Sequence, residues 1–413
     1  MSSPDSRRVV ITEMALLTPL GNSPGGVLGS MVEGRSGISR IGEWETIPNM
    51  DTRVGGIIRN LPGEAIPRKI RKSMSRISLM ASSTALEIAG RAKLPPSDFT
   101  SGRVGVSYGS TMGGVEELTS FFEQYFAGNG LAGMTSNTFL RIMSHTCAAN
   151  VALALGVSGR IICSCSACTS ASQSIGFAFE SIRDGYADAM FCGGAEELHF
   201  ITSGVFDRLM TASMKYNDRP HETPRPFDTG RDGVVCSEGA GTVLIEEYER
   251  AKQRGAKIFA EIIGFSTNCD GTHMTSPSEK GMREATKTAL GQAGLEPADI
   301  DYINAHATGT VAGDIAEANM IREIYGPDVP VSSSKGHLGH TLGACGVIEA
   351  VLCIEMMRRG VAHQTLNLEN IDEKCGGINH VTRPLRKDLS RVVSNNFAFG
   401  GINSVLVLGK WSE

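Results

Sequence analysis

The chain has 413 residues and a formal net charge of -5, with 41% hydrophobic and 20% charged residues. That length supports a large core, and the mildly acidic balance offers no footprint for nucleic acid. No apolar run reaches the roughly 20 residues of a spanning helix, so a membrane protein is not expected. The start, MSSPDSRRVVITEM, lacks the apolar core of a signal peptide, and ten cysteines without one suggest free thiols in the cytoplasm.

In chain order, Arg8-Val9-Val10-Ile11-Thr12 is a strand. It leads through a Pro-Gly turn into a helix with Val27, Leu28, Met31 and Val32 on one face. Ile66 to Arg76 carries five basic residues, a solvated helix face unless the partner is acidic. Next, Ile161 to Gly185 reads as a short strand, a tight turn and an apolar helix. Cys168 falls at the N-terminus of that helix, where free N–H groups and the helix dipole favour a thiolate. Cys163 and Cys165 are read as residues of a strand running into the core behind it. A metal cluster with them is disfavoured, because no second pair with ligand spacing follows.

Several patterns recur. Leu94-Pro95-Pro96-Ser97-Asp98-Phe99 and the run Arg103 to Thr111 return in outline as Leu295-Glu296-Pro297-Ala298-Asp299-Ile300 and Asp301 to Thr310. The element around Cys168 has a counterpart in Pro330 to Gly360, and Gly239 to Ile245 one in Gly400 to Val407. A duplicated α/β unit follows, residues 1-255 carrying the candidate nucleophile and residues 256-413 the candidate histidines, with a seam near Arg254-Gly255. Extra residues around Glu116 to His145 and Glu197 to Arg231 in the first copy are expected to build a substrate channel and dimer contacts.

When the copies are superposed, Cys168 and His340 lie on matching strand-turn-helix elements and His306 in the loop after a matching strand. Nine histidines make any single one unremarkable. His306 in Asn-Ala-His-Ala-Thr-Gly-Thr and His340 in Lys-Gly-His-Leu-Gly-His differ in being flanked by small residues that leave room for a ligand; His337 is the weaker candidate. A sulfur nucleophile with two histidines suits acyl transfer through a thioester.

The motifs Ser166-Ala167-Cys168-Thr169-Ser170-Ala171, His306-Ala307-Thr308-Gly309-Thr310 with Asp314, and Lys335-Gly336-His337-Leu338-Gly339-His340 closely resemble the β-ketoacyl-[acyl carrier protein] synthases of the thiolase superfamily. So do Arg225-Pro226-Phe227-Asp228, Arg231-Asp232-Gly233, Glu238-Gly239-Ala240-Gly241 and Asn396-Phe397-Ala398-Phe399-Gly400-Gly401. The resemblance implies an α/β, thiolase-like fold, two halves forming a five-layer αβαβα sandwich. It implies a decarboxylative condensation of an acyl primer, held on Cys168, with malonyl-[acyl carrier protein]. The product is 3-oxoacyl-[acyl carrier protein], in fatty acid or related polyketide synthesis. By the same resemblance His306 and His340 hold the malonyl thioester carbonyl, and Lys335 and Glu349 support them. The N–H groups of Cys168 and Phe399 form an oxyanion hole, and Phe399 is also a gate. Thr308 and Thr310 bind the pantetheine arm, and Met112 limits acyl-pocket depth across a dimer interface. Lys69 and Lys72 dock the acidic carrier protein. No metal or cofactor is implied, and the expected assembly is a homodimer or a heterodimer with a homologous subunit.

Ala307 stands where the family usually has Gly and Ile402 where it usually has Thr, which points to a specialised substrate. The alternative is a non-catalytic subunit of the chain-length-factor kind, which typically lacks the nucleophile that this chain keeps. A thiolase acting on coenzyme A esters would use a second cysteine where this chain has His340.

Overall fold

Val9–Leu17 forms β1, and its side chains alternate between two cores: Val9, Ile11, Met14 and Leu16 enter one, Ala15 and Leu17 the other. The parity changes after Ile11 because a bulge at that point slips the pairing with the antiparallel strand Gly239–Glu247. The computed structural model describes residues 7–62 and 66–412.

The first half continues with β2 (Val104–Gly109), β3 (Ile161–Ser164), β4 (Ala189–Glu196) and β5 (Gly239–Glu247). The second holds β6 (Ala260–Cys269), β7 (Tyr302–Asn304), β8 (Pro330–Ser332), β9 (Asn379–His380), β10 (Arg391–Ala398) and β11 (Ile402–Lys410). They join in one sheet of order β9-β8-β7-β10-β11-β6-β1-β5-β4-β2-β3. Outward from the central β6–β1 contact, each half runs through its first, fifth, fourth, second and third strand, with β9 added at one edge. In both halves the two inner pairings are antiparallel and the two outer ones parallel.

Helices complete the layers. On the outer face of the first half lie α1 (Arg76–Ala92) and α2 (Thr146–Leu155), which share a core of Ile77, Met80, Val151, Val106, Tyr108 and Phe191. Between the halves lie α3 (Ser170–Arg183) and, in chain order after α4 (Glu279–Ala293) and α5 (Val311–Tyr325), α6 (Cys345–Arg359). One core contains Ile175 and Phe179 of α3, Val347 and Val351 of α6, Val243 of β5 and Leu406 of β11, so the middle helices pack on strands of both halves. Helices α4 and α5 cover the outer face of the second half with Met282, Leu290, Met320 and Ile321. The result is a five-layer αβαβα sandwich.

The layers explain the sequence. Helix α4 buries Met282, Ala285, Ala289 and Leu290, a single face at helical spacing. Helix α6 is buried without a break from Cys345 to Met357, because it has sheet on two sides and α3 beside it. Gly176 lets α3 approach the second half: a Cβ there would stand 2.1 Å from the Phe265 ring.

One expectation is corrected. Cys163 and Cys165 do not run into the core; both are exposed. Strand β3 ends the sheet and pairs only with β2 among the described residues, and its Ile161 is 47% exposed. The short apolar run is an edge strand with an uncovered face.

Candidate active site

The turn leading into α3 is strained and tied. Ala167 has φ 49°, in the left-handed region, a conformation costing a non-glycine residue about 1 kcal/mol or more. Ser170 compensates by accepting from the Ser166 N–H at 2.9 Å and donating to the Ala167 carbonyl at 2.7 Å. A single 3₁₀ turn, Ala167–Thr169, then precedes the helix and carries Cys168. The matching turn in the second half repeats the device: Leu342 has φ 45° and opens the 3₁₀ turn Leu342–Ala344 before α6.

His340 reaches Cys168 from that second turn, with Nε2 2.9 Å from Sγ. Its backbone is clamped to the loop Val235–Ser237: its N–H donates to the Val235 carbonyl at 2.7 Å, and Ser237 N–H donates back at 2.9 Å. Gly339 makes the approach possible, with φ 71° and the Val235 carbonyl 2.9 Å from where a Cβ would lie. His306 follows β7, its ring centroid 5.1 Å from that of His340 at an interplanar angle of 85°. Glu317 on α5 holds its loop, accepting from the N–H groups of His306 at 2.9 Å and Ala307 at 2.7 Å. Asp314, one turn earlier, accepts from the Gly309 N–H at 3.1 Å.

Behind the histidines Lys335 Nζ donates to Glu349 Oε1 at 2.5 Å, with side-chain exposures of 1% and 2%. Ser334 Oγ donates to the same oxygen at 3.2 Å and Asn396 Nδ2 to Oε2 at 2.7 Å. Burial opposes the charge on Lys335, but Glu349 with its neighbours outweighs it and leaves the ammonium above its ordinary pKa. Burial, then the Lys335 charge, holds both histidines well below theirs, so the imidazoles are neutral at pH 7.

The thiol departs from expectation. Burial pushes Cys168 up to about 12, with Lys335 pulling it back and Glu196 pushing it further. The resting group is a thiol rather than a thiolate, because the cost of burying the anion exceeds what the Lys335 charge and the backbone return. A neutral imidazole at 2.9 Å supplies what the dipole does not, an acceptor for the thiol proton.

Cys168, His306 and His340 open onto a cavity of about 740 Å³. Thr308 and Thr310 line it, their hydroxyls 3.1 Å apart. Phe399 lines it too, its ring 5.4 Å from that of Phe206, with Gly400 and Gly401 following at φ 88° and 70°. The second inserted segment contributes Phe206, Met210, Met214 and Arg231 to the lining. Met112 is 39% exposed and lies outside this lining, as do Lys69 and Lys72, exposed on and just after the short helix Arg68–Arg71. The donor atoms of Cys168, His306 and His340 lie within 4.8 Å of one another. Their lone pairs suit a metal ion and the histidine N–H groups a carbonyl oxygen; the buried Lys335 ammonium opposes a second cation and favours developing negative charge.

Sequence reasoning assigned no role to Glu317, Asn396 or Cys345. The available signal for Glu317 was an acid one helical turn from Asp314, on the same face. Asn396 opens the Asn-Phe-Ala-Phe-Gly-Gly motif, which marked its place but gave it no role, and Cys345 carried no signal of its own.

Residues 6–251 match the family model described as the N-terminal domain of β-ketoacyl synthases, and residues 259–369 the C-terminal domain. The chain is 36% identical over 410 residues to 3-oxoacyl-[acyl-carrier-protein] synthase 1 of Escherichia coli K12, covering 98% of this chain and 100% of the relative. To synthase 2 of Vibrio cholerae it is 36% identical over 417 residues, covering 97% and 98%. The crystal structure of a β-ketoacyl synthase from Burkholderia phymatum STM815 superposes with a TM-score of 0.94 at 42% identity, covering 98% and 100%. A type II PKS acyl-carrier protein in complex with its ketosynthase bound to the hexaketide includes a chain that superposes at 0.89 and 26% identity, covering 98% and 100%.

Proposed function

The chain belongs to the β-ketoacyl synthase family, and from that premise we infer that Cys168 is the acylated nucleophile of a decarboxylative condensation. The observation that carries the inference is the 2.9 Å contact between Cys168 Sγ and His340 Nε2, with His306 closing the same corner of the cavity.

As Sγ attacks the thioester carbonyl of an acyl carrier, its proton passes to His340, and the departing carrier thiolate takes it back. The acyl group is left on Cys168. A malonyl thioester then enters, and its carbonyl oxygen accepts from the ring N–H of His306 and from that of His340, whose neutral ring now carries its proton on Nε2 because the acylated sulfur no longer donates to it. Carbon dioxide leaves with the carboxyl group, and the bonding electrons remain as an enolate, which the Lys335 charge stabilises through the buried site. The enolate carbon attacks the acyl carbon, the tetrahedral oxyanion is met by the N–H groups of Cys168 and Phe399, and the Cys168 thiolate is expelled and takes a proton from solvent, which restores the resting thiol. Each such donor contributes about 3 to 4 kcal/mol in comparable acyl transfers.

Thr308 and Thr310 are the pantetheine contacts, and the Phe399 ring is the gate of the cavity. Lys69 and Lys72 are the docking cations for the acidic carrier protein, which raise the encounter rate. The working assembly is a dimer, with Met112 at the acyl pocket of the partner. Exposed Phe126 (78%), Leu131 (67%) and Phe139 (60%) on the first inserted segment support that surface being covered. The setting is the cytoplasm. Ten free cysteines support a reducing compartment, and no described helix is long and apolar enough to cross a membrane. A chain-length-factor role is disfavoured by a nucleophile seated against its histidine.

The test is incubation of the purified chain with acyl- and malonyl-loaded carrier protein. A 3-oxoacyl product, carbon dioxide and an acyl adduct on Cys168 are expected. Turnover only after adding a homologous subunit, with no acyl adduct on Cys168 of this chain, would overturn it in favour of the non-catalytic reading.

A further inference from the structure

Cys345 takes no part in the bond changes above, yet it touches the nucleophile. Its thiol donates to the Cys168 backbone carbonyl at 3.2 Å. Burial, reinforced by the Glu349 carboxylate, holds this thiol well above its ordinary pKa, so it remains protonated and able to donate. On its far side Asn396 Nδ2 donates to Cys345 Sγ at 3.4 Å and to Glu349 Oε2 at 2.7 Å, which uses both amide hydrogens. Glu349 in turn accepts from Lys335. A continuous path therefore runs from the ion pair through Asn396 and Cys345 to the peptide of Cys168, and every side chain on it is buried.

The packing makes room for this path. Gly346, next to Cys345, faces the first turn of α3, and a Cβ there would lie 2.5 Å from the Ser172 nitrogen and 2.9 Å from Asn396 Oδ1. The strained turn at Ala167 is tied on its N-terminal side by Ser166 and Ser170 of its own half. The path from α6 and β10 ties its C-terminal side from the other half.

Resting on the assignment of Cys168 as the acylated nucleophile, we propose that Cys345 and Asn396 are positioning residues for acyl transfer: they fix the Cys168 peptide, and so the aim of Sγ at His340, from the ion pair that also stands behind the histidines. The path contacts the nucleophile turn and leaves the rings of His306 and His340 untouched. Its loss therefore falls on acyl-enzyme formation more than on decarboxylation.

The experiment measures both half-reactions in the full-length chain: acyl transfer onto Cys168 by mass spectrometry of its peptide, and carbon dioxide release from the malonyl carrier. In Cys345→Ala, acylation should fall about tenfold relative to carbon dioxide release, as expected for a nucleophile whose peptide has lost a tie, and Cys345→Ser should recover it to within about twofold. Asn396→Ala should show the same asymmetry, and the double alanine variant should lose no more than the larger single. Equal loss of both half-reactions, failure of the serine to rescue, or an unchanged ratio in Asn396→Ala overturns the proposal. Should Cys345→Ala not fold, Asn396→Ala alone decides. A wild-type chain that forms no acyl adduct on Cys168 instead overturns the nucleophile assignment, which separates the two failures.

Discussion

Glu317 accepts hydrogen bonds from the backbone N–H groups of both His306 and Ala307, at 2.9 and 2.7 Å, and Asn395 Nδ2 donates to it at 3.1 Å. One buried carboxylate thus sets the loop that aims the first histidine. In Glu317→Gln the amide can accept from only one of the two N–H groups and opposes the other with its own hydrogens. Malonyl decarboxylation should drop at least about tenfold, with Cys168 acylation less affected. Equal rates in the variant and the wild type would show that the loop needs no carboxylate.

The same residue predicts a pH limb. Burial raises the Glu317 carboxyl to about 7, with the two backbone bonds pulling it down. Because the folded value lies above the unfolded one, its ionisation opposes folding as pH rises from the ordinary glutamate value to about 7, and this effect is fully relieved below that range. Function runs the other way, since only the carboxylate accepts from both N–H groups. The decarboxylation rate should therefore decline as pH falls through about 7, and this limb should vanish in Glu317→Gln. The rate profile between pH 5.5 and 8.5 checks it.

The thiol itself gives a third prediction. With Cys168 pushed up to about 12, its alkylation rate should climb about tenfold per pH unit through pH 9 without levelling. Lys335 pulls that value down, so Lys335→Ala should slow alkylation at any pH in the range. Peptide mass spectrometry distinguishes Cys168 from the exposed Cys163, Cys165 and Cys269. A plateau near pH 7 would mean that the resting group is a thiolate.

Lys335 and Glu349 form an ion pair with almost no solvent contact. Lys335→Ala strands the carboxylate and should cost about 3 to 5 kcal/mol, read as a fall in Tm. Replacing both, as Lys335→Met with Glu349→Leu, should restore much of that stability without restoring condensation, because the charge that favours the enolate is gone. Condensation at wild-type rate in the double variant would remove Lys335 from the chemistry.

Roles separate by mutation. Cys168→Ala should accept no acyl group, whereas His306→Ala and His340→Ala should acylate yet fail to condense, His340→Ala more slowly for want of the proton acceptor. Product formation at the wild-type rate by any of the three would sink the assignment.

Much of this was legible in the chain. The repeated Leu-x-Pro-x-Asp turns and the paired strand-turn-helix elements disclosed the duplication, because turns and periodicity are local properties written in consecutive residues. Cys168, His306 and His340 stood out for a related reason: small residues around a reactive side chain mark space left for a ligand. The unbroken burial of α6 was likewise foreshadowed by its run of apolar residues.

What tertiary structure alone decided are quantities that depend on distant neighbours. Strand β3 reads as core by composition, yet it ends a sheet, so Cys163 and Cys165 are exposed. The helix end promised a thiolate, but desolvation is set by everything packed around Cys168, including groups from the other half, and it raises the thiol more than the Lys335 charge lowers it. The link from Asn396 to Cys345 spans 51 residues and that from Cys345 to Cys168 spans 177. No local rule relates such positions; α6 and β10 meet the nucleophile turn only when the two halves close on one another.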